Sequence, residues 1–403
     1  MSSTPAARRL RSADRGTRSI LFSAVVTAIV VIGLVVAPRA GAVTTSEVRL
    51  ANGVVLYRQV FTSVEGHAEH AVLMNVDLGV RGVHIAPASP AQLVGAPRAT
   101  VPTMADATHA LGGVNGDWFD MRSYTAPPRG ALIRPGAVLK TPRPAWAANF
   151  FIRADGTAGI GRIPFSGTVT RTARTGPAAP SSSFRIFSVN TVADARAGRI
   201  TLINAGLARI APGFGCTAAF GYNTSTGARR ISGSETGATS IPRLAPGRWA
   251  LLACGGTGAT WLLGQVRAGD SMAFTLSYGA GLPRAAISGG RILVAGGRAY
   301  DDVGGQQLRP DQNPMTFVCV SRYGRTVLLG VVDGRSYRSV GMDYYELTHY
   351  LLALHCWTGM TLDGGGSTTM TARLPGHSTN TVLNVPSNNS ARPIVDGLFV
   401  YTR

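Results

Sequence analysis

The stretch that most constrains the fold is residues 327–369, whose pattern predicts a strand, a helix, a second strand and a glycine-rich loop. The apolar run 327–332 is typical of a strand covered on both faces. Apolar residues then recur at helical spacing through 343–356, and Asp343 with Glu346 forms a D-x-x-E start close to a capping box. A strand–helix–strand unit makes the two strands parallel in one sheet, so both should end at the same edge.

Polar residues follow both of these strands where the strands end. The segment Asp333-Gly334-Arg335 follows the first strand, and Asp363 with Gly364-Gly365-Gly366-Ser367 follows the second. Ligands of α/β sheets favour this edge. The spacing therefore predicts two carboxylates, an arginine and a glycine loop in one place. The alternative is that each segment is only a turn between elements, because Asp-Gly is a common turn pair.

The chemistry of two neighbouring carboxylates has more than one interpretation. They could serve as acid and base, or acid and nucleophile, in glycoside cleavage. They could equally hold a divalent cation, because hard cations take oxygen ligands. No other cofactor is indicated. Glu346 is better explained as a helix cap than as a catalytic residue.

A second polar segment, NGDWF at 115–119, follows the double glycine 112–113. Aromatic faces beside hydrogen-bonding groups suit a sugar ring, but Trp118 and Phe119 could instead be core anchors. Just before this segment, Thr103 is the expected cap of a short helix over residues 104–111. Brief apolar runs separated by Gly, Pro and Ser through 147–300 predict a β-rich region with few helices.

Residues 1–42 have the pattern of a signal peptide. Five arginines precede the apolar run 20–36, and Ala40-Gly41-Ala42 supplies an A-x-A cleavage site. We expect cleavage after Ala42, and hence no stable membrane span in the mature chain. The alternative is that the segment stays as an anchor, although it is marginal for spanning a bilayer.

The charge of the chain predicts anionic partners. Removal of residues 1–42 takes away six arginines and one aspartate, which lowers the formal charge from +19 to +14. Lys140 is the only lysine beside 38 arginines, and arginine grips phosphate and carboxylate with two parallel donors. A GC-rich genome is an alternative explanation of this bias. The sequence contains no nucleic-acid-binding motif, so we do not expect a nucleic-acid partner.

Four cysteines in an exported chain suggest two disulfides, and four cysteines allow three connectivities. Nearness in sequence favours Cys216 with Cys254 and Cys319 with Cys356.

Several of these segments together resemble the phosphodiester glycosidase family. They run in family order over about residues 105–403: NGDWF at 115–119, SGG at 288–290, VVDGR at 331–335, LDGGGSTTM at 362–370, and Asn384 with Arg392-Pro393. The resemblance implies an α+β fold, here a β-rich mixed sheet with flanking helices and the C-terminal βαβ unit. We expect a signal peptide at 1–42, an N-terminal β-rich region at 43–100 and the glycosidase-like domain at 101–403.

The resemblance also implies cleavage between the anomeric carbon of a sugar and a phosphodiester oxygen. The substrate would be a sugar phosphate or an anionic glycan. The resemblance makes Asp363, Asp333 and Asp117 the candidate catalytic residues. The candidate substrate-binding residues are Asn115, Arg335, Gly364, Gly365, Gly366, Ser367, Thr368, Asn384 and Arg392.

One departure concerns a family segment that resembles His-Pro-Arg-Thr and precedes the VVDGR strand. Here it reads Asn313-Pro314-Met315-Thr316, so an apolar methionine takes the place of an arginine. Two hypotheses follow. The first is an exported glycosidase that acts on sugar phosphodiesters of envelope glycans, and the second is a non-catalytic envelope protein that binds polysaccharide at the same edge.

Overall fold

A computed structural model describes residues 43–144, 146–174, 180–209, 215–300 and 311–402. The predicted signal segment 1–42 lies outside the described residues. The strands are β1 Val43–Ala51, β2 Val54–Thr62, β3 Ala68–Asp77, β4 Val83–Ala88, β5 Gly112–Asn115, β6 Leu132–Arg134, β7 Ala137–Lys140, β8 Asn149–Ile152, β9 Ala158–Gly161, β10 Ser166–Thr172, β11 Ser181–Val189, β12 Ile200–Asn204, β13 Cys216–Asn223, β14 Arg229–Ala238, β15 Arg248–Ala253, β16 Ser271–Ser277, β17 Ala285–Ser288, β18 Ile292–Ala295, β19 Arg298–Ala299, β20 Met315–Val320, β21 Thr326–Val332, β22 Thr358–Thr361, β23 Met370–Ala372, β24 Thr381–Val382 and β25 Gly397–Thr402. The helices are α1 Val101–Ala107, α2 Val192–Arg196, α3 Gly256–Gln265 and α4 Tyr344–Ala353, with 3-10 turns at Pro90–Gln92 and Gly365–Ser367.

The strands form four sheets among the described residues. The largest has the order β1-β2-β3-β21-β20-β22-β18-β19. Two smaller sheets have the orders β7-β6-β17-β8-β9 and β24-β23-β5-β25-β4, and the fourth, β10-β11-β12-β15-β13-β14-β16, closes on itself. Few helices accompany these strands, which confirms the β-rich α+β fold expected from the sequence.

The predicted strand–helix–strand unit is present as β21, α4 and β22. Both strands pair antiparallel with β20, which lies between them, so β21 and β22 are parallel but not adjacent. Their carboxyl ends reach the same sheet edge, as predicted. The ends are nevertheless two strand spacings apart, about 10 Å. This separation places Asp333 and Asp363 further from each other than neighbouring strands would.

Helix α4 begins as its sequence predicts. The Asp343 side chain accepts a hydrogen bond from the Glu346 N–H, and Glu346 Oε2 accepts one from the Asp343 N–H at 3.1 Å. This reciprocal pair is a capping box, which satisfies two backbone donors that the first turn would leave unpaired. The cap assignment of Glu346 is therefore confirmed. Helix α4 ends at Ala353, three residues before the predicted end.

Helix α1 begins earlier than predicted. Its N-cap is Thr100, whose hydroxyl oxygen accepts from the Thr103 N–H, and Pro102 lies in its first turn. Proline is tolerated there because the first-turn N–H has no partner inside the helix. The expected cap at Thr103 was wrong, because Thr103 lies inside the first turn of the helix.

Strands from the first part of the chain belong to the same sheets as strands from its end. The strand β3 pairs with β21, and β4 pairs with β25. Residue 100 is therefore not a boundary between sheets. The two predicted disulfides, Cys216–Cys254 and Cys319–Cys356, are both present. Among the residues that the structure describes, none of the helices combines the length and apolar character needed to cross a membrane.

Candidate active site

The candidate site lies where the end of β22 in the large sheet meets the end of β5 and the first residues of β23 and β25. Because β25 pairs antiparallel with β5, its first residue lies opposite Asn115, the last residue of β5. The start of β23 also lies beside the end of β5. Residues that precede β25 and β23 therefore meet those that follow β5 and β22.

Asn115 holds both ends of the glycine loop through hydrogen bonds of its side chain. It is fully buried, and its Nδ2 donates to the Asp363 carbonyl at 2.6 Å. Its Oδ1 accepts from the Thr316 hydroxyl at 2.7 Å and from the Thr369 N–H at 3.0 Å. The predicted contact of Asn115 with substrate remains a prediction. The structure makes Asn115 a positioning residue for the loop.

Three carboxylates meet at this point. The Asp117 N–H donates to Asp396 Oδ1 at 2.8 Å, and both aspartates interact electrostatically with Asp363. Asp117 and Asp396 are buried, whereas Asp363 is only partly buried. The Asp363 N–H donates to the carbonyl of Gly116 at 2.9 Å, which ties the two segments together. Asp363 is therefore the member of this cluster that a ligand can reach.

Burial shifts the acidity of these groups towards neutral pH. Desolvation raises the pKa of Asp363 to about 6, against hydrogen bonds from Ser367 and Gly364 and the charge of Arg392. Burial also raises the pKa of Asp117 to about 6. The pKa of Asp396 is raised well above its usual value by burial and by the nearby Asp117. Asp396 Oδ2 is buried and, within the described residues, has no hydrogen-bond partner, which adds to the cost of ionising it.

Asp117 is held by backbone donors. Its Oδ1 accepts from the Trp118 N–H at 2.7 Å, and its Oδ2 accepts from the Gly130 N–H at 2.5 Å. Gly130 is required here because a Cβ would clash with the hydroxyl of Ser288. Asp117 was predicted to be catalytic. Asp117 is buried and accepts hydrogen bonds from two backbone N–H groups, which favours an electrostatic role beside Asp363.

Lys140 lies on the far side of the segment that carries Gly130. Its Nζ donates to the carbonyls of Arg129 and Gly130 at 2.9 and 3.2 Å. Burial lowers its pKa to about 8, although the charges of Asp117 and Asp396 favour the ammonium form. Lys140 thus compensates part of the negative charge of the carboxylate cluster.

The glycine loop needs its small residues for two reasons. Gly365 has a φ of +60°, in the left-handed region that favours glycine. Gly366 lies against Arg392, and any Cβ there would clash with its guanidinium. The Gly365 N–H donates to the carbonyl of Pro314 at 2.8 Å, which fixes the loop to the start of β20. Thr368 is buried behind the loop.

Guanidinium groups surround the loop. Arg392 Nη1 donates to the Ser367 hydroxyl at 3.3 Å, and Ser367 also hydrogen-bonds to Asp363. Arg335 points towards Gly365 and donates to Asn313 Oδ1 at 2.7 Å. Arg335 also has a φ of +61°, an unfavourable conformation for a residue with a side chain. Such strain is common at functional sites.

The aromatic residues of the NGDWF segment have different environments. Phe119 is buried in an apolar cluster, as the core-anchor interpretation predicts. Trp118 is half-buried, and its indole N–H points to the carbonyl of Leu362 at 3.4 Å. Arg129 lies over the indole ring at 5.7 Å from its centroid and interacts electrostatically with Asp363. Trp118 therefore belongs to the wall of the site.

Asp333 has partners other than the three-carboxylate cluster. Its Oδ1 accepts from the Val385 N–H at 2.9 Å, and it also hydrogen-bonds to the side chain of Asn384. Asn384 Oδ1 in turn accepts from the Met370 N–H at 2.8 Å. Burial raises the pKa of Asp333. These contacts link the end of β21 to the loop that follows β24, and the carboxylates beside Asp363 are Asp117 and Asp396.

Met315 stands next to the glycine loop. It is buried at the start of β20, and its Sδ lies 3.8 Å from the position of a Cβ on Gly364. The methionine therefore gives the loop an apolar neighbour in place of the expected cation. Arg335 follows the neighbouring strand β21 and donates to Asn313, which stands two residues before Met315.

A metal ion could be held by one group of side chains among the described residues. Ligand atoms of Glu65, His67 and Glu346 lie within 4.8 Å of one another. Glu346 already accepts hydrogen bonds from Ser63 at 2.6 Å and contacts His67 Nδ1 at 2.9 Å. Glu65 and His67 lie on the β2–β3 turn and Glu346 in the first turn of α4, so the group is separate from the glycine loop.

Two residues of the site were missed from the sequence. Asp396 precedes a short strand with only an Asp-Gly pair as a signal, and Lys140 has no motif around it. The one hint for Lys140 was its rarity, because it is the only lysine in the chain.

Comparison with solved structures shows similarity in fold. A protein from Synechocystis has a TM-score of 0.70 at 14% identity, over 89% of this chain and 64% of that protein. A Burkholderia pseudomallei protein, provisionally described as exported, has a TM-score of 0.63 at 20% identity, over 83% of this chain and 74% of its own. The chain therefore spans less than two thirds of the length of the Synechocystis protein.

A third solved structure is the catalytic domain of zebrafish N-acetylglucosamine-1-phosphodiester alpha-N-acetylglucosaminidase, auto-inhibited by its pro-peptide. It has a TM-score of 0.47 and 16% identity, over 90% of this chain and 89% of that one. No curated protein matches the sequence. Residues 256–401 match the family model of the phosphodiester glycosidases. This segment includes the glycine loop, Asp333, Asp363 and Arg392, and over it the resemblance to the phosphodiester glycosidase family is confirmed.

Proposed function

We propose that this protein is a glycosidase that cleaves the bond between the anomeric carbon of a sugar and a phosphodiester oxygen. The observation that carries the proposal is the pairing of Asp363 with Arg392 across Ser367 of the glycine loop. A carboxylate that can change protonation near pH 6 thus lies beside a guanidinium that can hold a phosphate. The match of residues 256–401 to the family model supports the same chemistry.

The two guanidinium groups at the loop are the proposed phosphate ligands. Arg392 and Arg335 interact electrostatically with each other, and both border the glycine loop. Guanidinium groups bind phosphate oxygens through paired N–H donors. They would stabilise the negative charge that develops on the phosphate as it leaves the sugar. Arg335 in this role would supply the positive charge that the family arginine provides and that Met315 lacks.

Asp363 acts in its ionised form in this proposal. A phosphate ester is a good leaving group when its charge is stabilised, so it does not need a proton from the enzyme. The carboxylate of Asp363 takes a proton from water as the water oxygen bonds to the anomeric carbon. The bond from that carbon to the phosphate oxygen breaks, and the products are a free sugar and a phosphate monoester. The rate should therefore rise with pH through about 6, the pKa of Asp363.

Export to the cell envelope is the proposed location. Supporting observations are the signal-like pattern of residues 1–42, the two disulfides and the similarity to a Burkholderia protein provisionally described as exported. Disulfides are typical of oxidising compartments. Anionic envelope glycans are the proposed substrates because the chain is strongly basic.

The test measures sugar released from a set of sugar-1-phosphodiesters by the wild type, by Asp363→Asn and by a matched control, Asp155→Asn. Asp155 is an exposed carboxylate in the turn between β8 and β9. We expect Asp363→Asn to lose at least about 100-fold in kcat, in the usual range for loss of a general base. Asp155→Asn should keep the wild-type rate. Equal rates for wild type and Asp363→Asn on every substrate would overturn the proposal.

The second candidate function is polysaccharide binding without turnover. Met315 favours it, because the loop has an apolar neighbour where the family carries an arginine. This function predicts binding of anionic glycans with no product and little loss of binding in Asp363→Asn. Sugar release by the wild type would exclude it.

A further inference from the structure

A cavity of about 850 Å³ is lined in part by the 120–144 region, including Arg129 and Lys140. One wall comes from the region between β5 and β8, and the other from β11, α2 and the residues after β12. The second wall belongs to the closed sheet. The cavity has the size of a typical ligand site, large enough for more than a single phosphate.

The wall of this cavity is rich in cations. Its basic side chains are Arg129, Lys140, Arg143, Arg196 and Arg209. Its acidic side chains are Asp120 and Asp194, and each is already paired with an arginine outside the lining. Asp120 contacts Arg122 at 3.1 Å, and Asp194 contacts Arg199 at 3.4 Å. The lining is therefore positive overall.

Two of these arginines are held on aromatic rings. Arg129 lies over Trp118 and Arg143 over Trp146, at 5.7 and 5.6 Å from the ring centroids. Stacking fixes the plane of a guanidinium while its edge N–H groups stay available for oxyanions. These two side chains are therefore ordered in advance for a ligand with phosphate or carboxylate groups.

The cavity and the proposed active site share one segment of chain. Lys140 donates to the carbonyls of Arg129 and Gly130, and the Gly130 N–H donates to Asp117. Arg129 interacts electrostatically with Asp363 on one hand and lines the cavity on the other.

We propose that this cavity binds the next phosphate-bearing unit of a polymeric substrate, a glycan whose repeating units are joined by phosphodiesters. The inference rests on the proposed function for the identity of the cleaved bond. It adds that the substrate is a polyanionic chain rather than a single sugar phosphodiester. Arg143 and Arg196 are the specificity residues in this proposal, because both are exposed in the cavity wall and lie away from Asp363.

The test measures kcat/KM of the wild type and of the double variant Arg143→Gln/Arg196→Gln on two substrates. One substrate is a sugar phosphodiester with a single unit, and the other is a three-unit oligomer joined by phosphodiesters. We expect the wild type to have the higher kcat/KM on the oligomer, and the double variant to lose this preference by about tenfold, as for lost charged hydrogen bonds. The control, Arg81→Gln, removes an exposed arginine from the turn between β3 and β4 and should keep the preference.

Binding measurements separate this inference from the proposed function. The affinity of the oligomer for Asp363→Asn, with and without the two cavity substitutions, is measured by calorimetry at two salt concentrations. A tenfold loss of affinity with the cavity substitutions supports the cavity site even if no substrate is ever cleaved. Cleavage of both substrates with no preference for the oligomer overturns the inference and leaves the proposed function intact.

Two further arms identify the ligand and check folding. A neutral trisaccharide and a trimer of uronic acid are tested for binding to the same variants. Binding of the uronate trimer as tight as that of the phosphodiester oligomer would overturn the assignment to phosphate. Arg143→Lys/Arg196→Lys keeps the charges but loses the paired donors, so an intermediate affinity supports bidentate phosphate contacts. Unchanged melting temperatures show that the variants are folded.

Discussion

At the scale of single residues, the site is explained by the burial of charge. Asp363, Asp117 and Asp396 are close together, and burial raises the pKa of each. Lys140 compensates part of their charge from the other side of the 129–130 segment. The arrangement favours one role for each group: Asp363 is reachable from solvent, whereas Asp117 and Asp396 are held behind it.

Gly366→Ala should impair catalysis more than folding. The new methyl group would occupy the place of the Arg392 guanidinium, which would move away from Ser367 and Asp363. A displaced phosphate ligand lowers kcat/KM, and we expect a loss of about 100-fold, as for misplaced positioning groups.

The measurement is kcat/KM for sugar release beside a thermal unfolding curve. The control is Gly233→Ala in β14, where a Cβ would have open space and the φ is not positive. Gly233→Ala should keep the wild-type kcat/KM. Wild-type activity in Gly366→Ala would contradict the assignment of Arg392 to phosphate.

Asp117 should make the protein more stable at pH 5 than at pH 7. Its folded pKa of about 6 lies above the value of about 3.9 expected for an unfolded chain. Between these values the folded state binds more protons than the unfolded state, so the free energy of unfolding falls as pH rises. Between pH 5 and pH 7, the ionisation of Asp117 should lower the free energy of unfolding by about 1 kcal/mol.

Urea unfolding of the wild type and of Asp117→Asn at both pH values measures this effect. The asparagine cannot ionise, so the pH-dependent difference should shrink by about 1 kcal/mol. Asp155→Asn serves as the control, because Asp155 is fully exposed and its pKa is lowered, not raised. An undiminished pH dependence in Asp117→Asn would show that Asp117 has an ordinary pKa.

Which residues could be predicted depended on local pattern. The family resemblance, which short motifs carry, implied one site for Asn115, Asp117, Asp363, Ser367 and Arg392, and the structure does bring them together. Asp396 and Lys140 could not be found this way, because only pairing of strands distant in sequence places them in the site. Their proximity depends on β5 meeting β25 and on the position of β7.

At the scale of elements, the strand–helix–strand unit was predictable because its signals are local. The apolar run of β21, the capping box of α4 and the glycine after the helix all lie within 40 residues. The insertion of β20 between β21 and β22 was not predictable, because sheet order depends on contacts between separate strands. That insertion separates Asp333 from Asp363, which spacing alone had placed together.

The disulfide Cys319–Cys356 should stabilise this unit strongly. It joins β20 to the residues just after α4, and its two cysteines are 37 residues apart. In the chain-entropy model, closure of a loop of this length contributes about 4 kcal/mol. The double variant Cys319→Ala/Cys356→Ala should therefore lose about that much free energy of unfolding.

Urea unfolding of this variant is compared with Cys216→Ala/Cys254→Ala. The second disulfide spans 38 residues, so the same model predicts an equal loss. A much smaller loss for the first pair would show that the α4 unit is already held by its packing and does not need the covalent link.

At the scale of the whole molecule, distant parts of the chain build one site. Strand β3 pairs with the C-terminal β21, and β4 pairs with β25, so the site requires both ends of the described chain. The pattern of brief apolar runs separated by Gly, Pro and Ser predicted a β-rich region. It could not predict that β10–β16 would close into a separate sheet, because closure depends on the pairing of β10 with β16, about 100 residues apart. The proposed cavity for the polymeric substrate lies between this closed sheet and the 120–144 region.

The central claim is that the protein breaks the bond from the anomeric carbon to the phosphate oxygen. The most direct measurement is hydrolysis of a sugar-1-phosphodiester in water enriched in oxygen-18, with mass analysis of both products. Our account predicts that the heavy oxygen enters the sugar and that none enters the phosphate monoester. Heavy oxygen in the phosphate would show cleavage of the phosphorus–oxygen bond and would contradict the account.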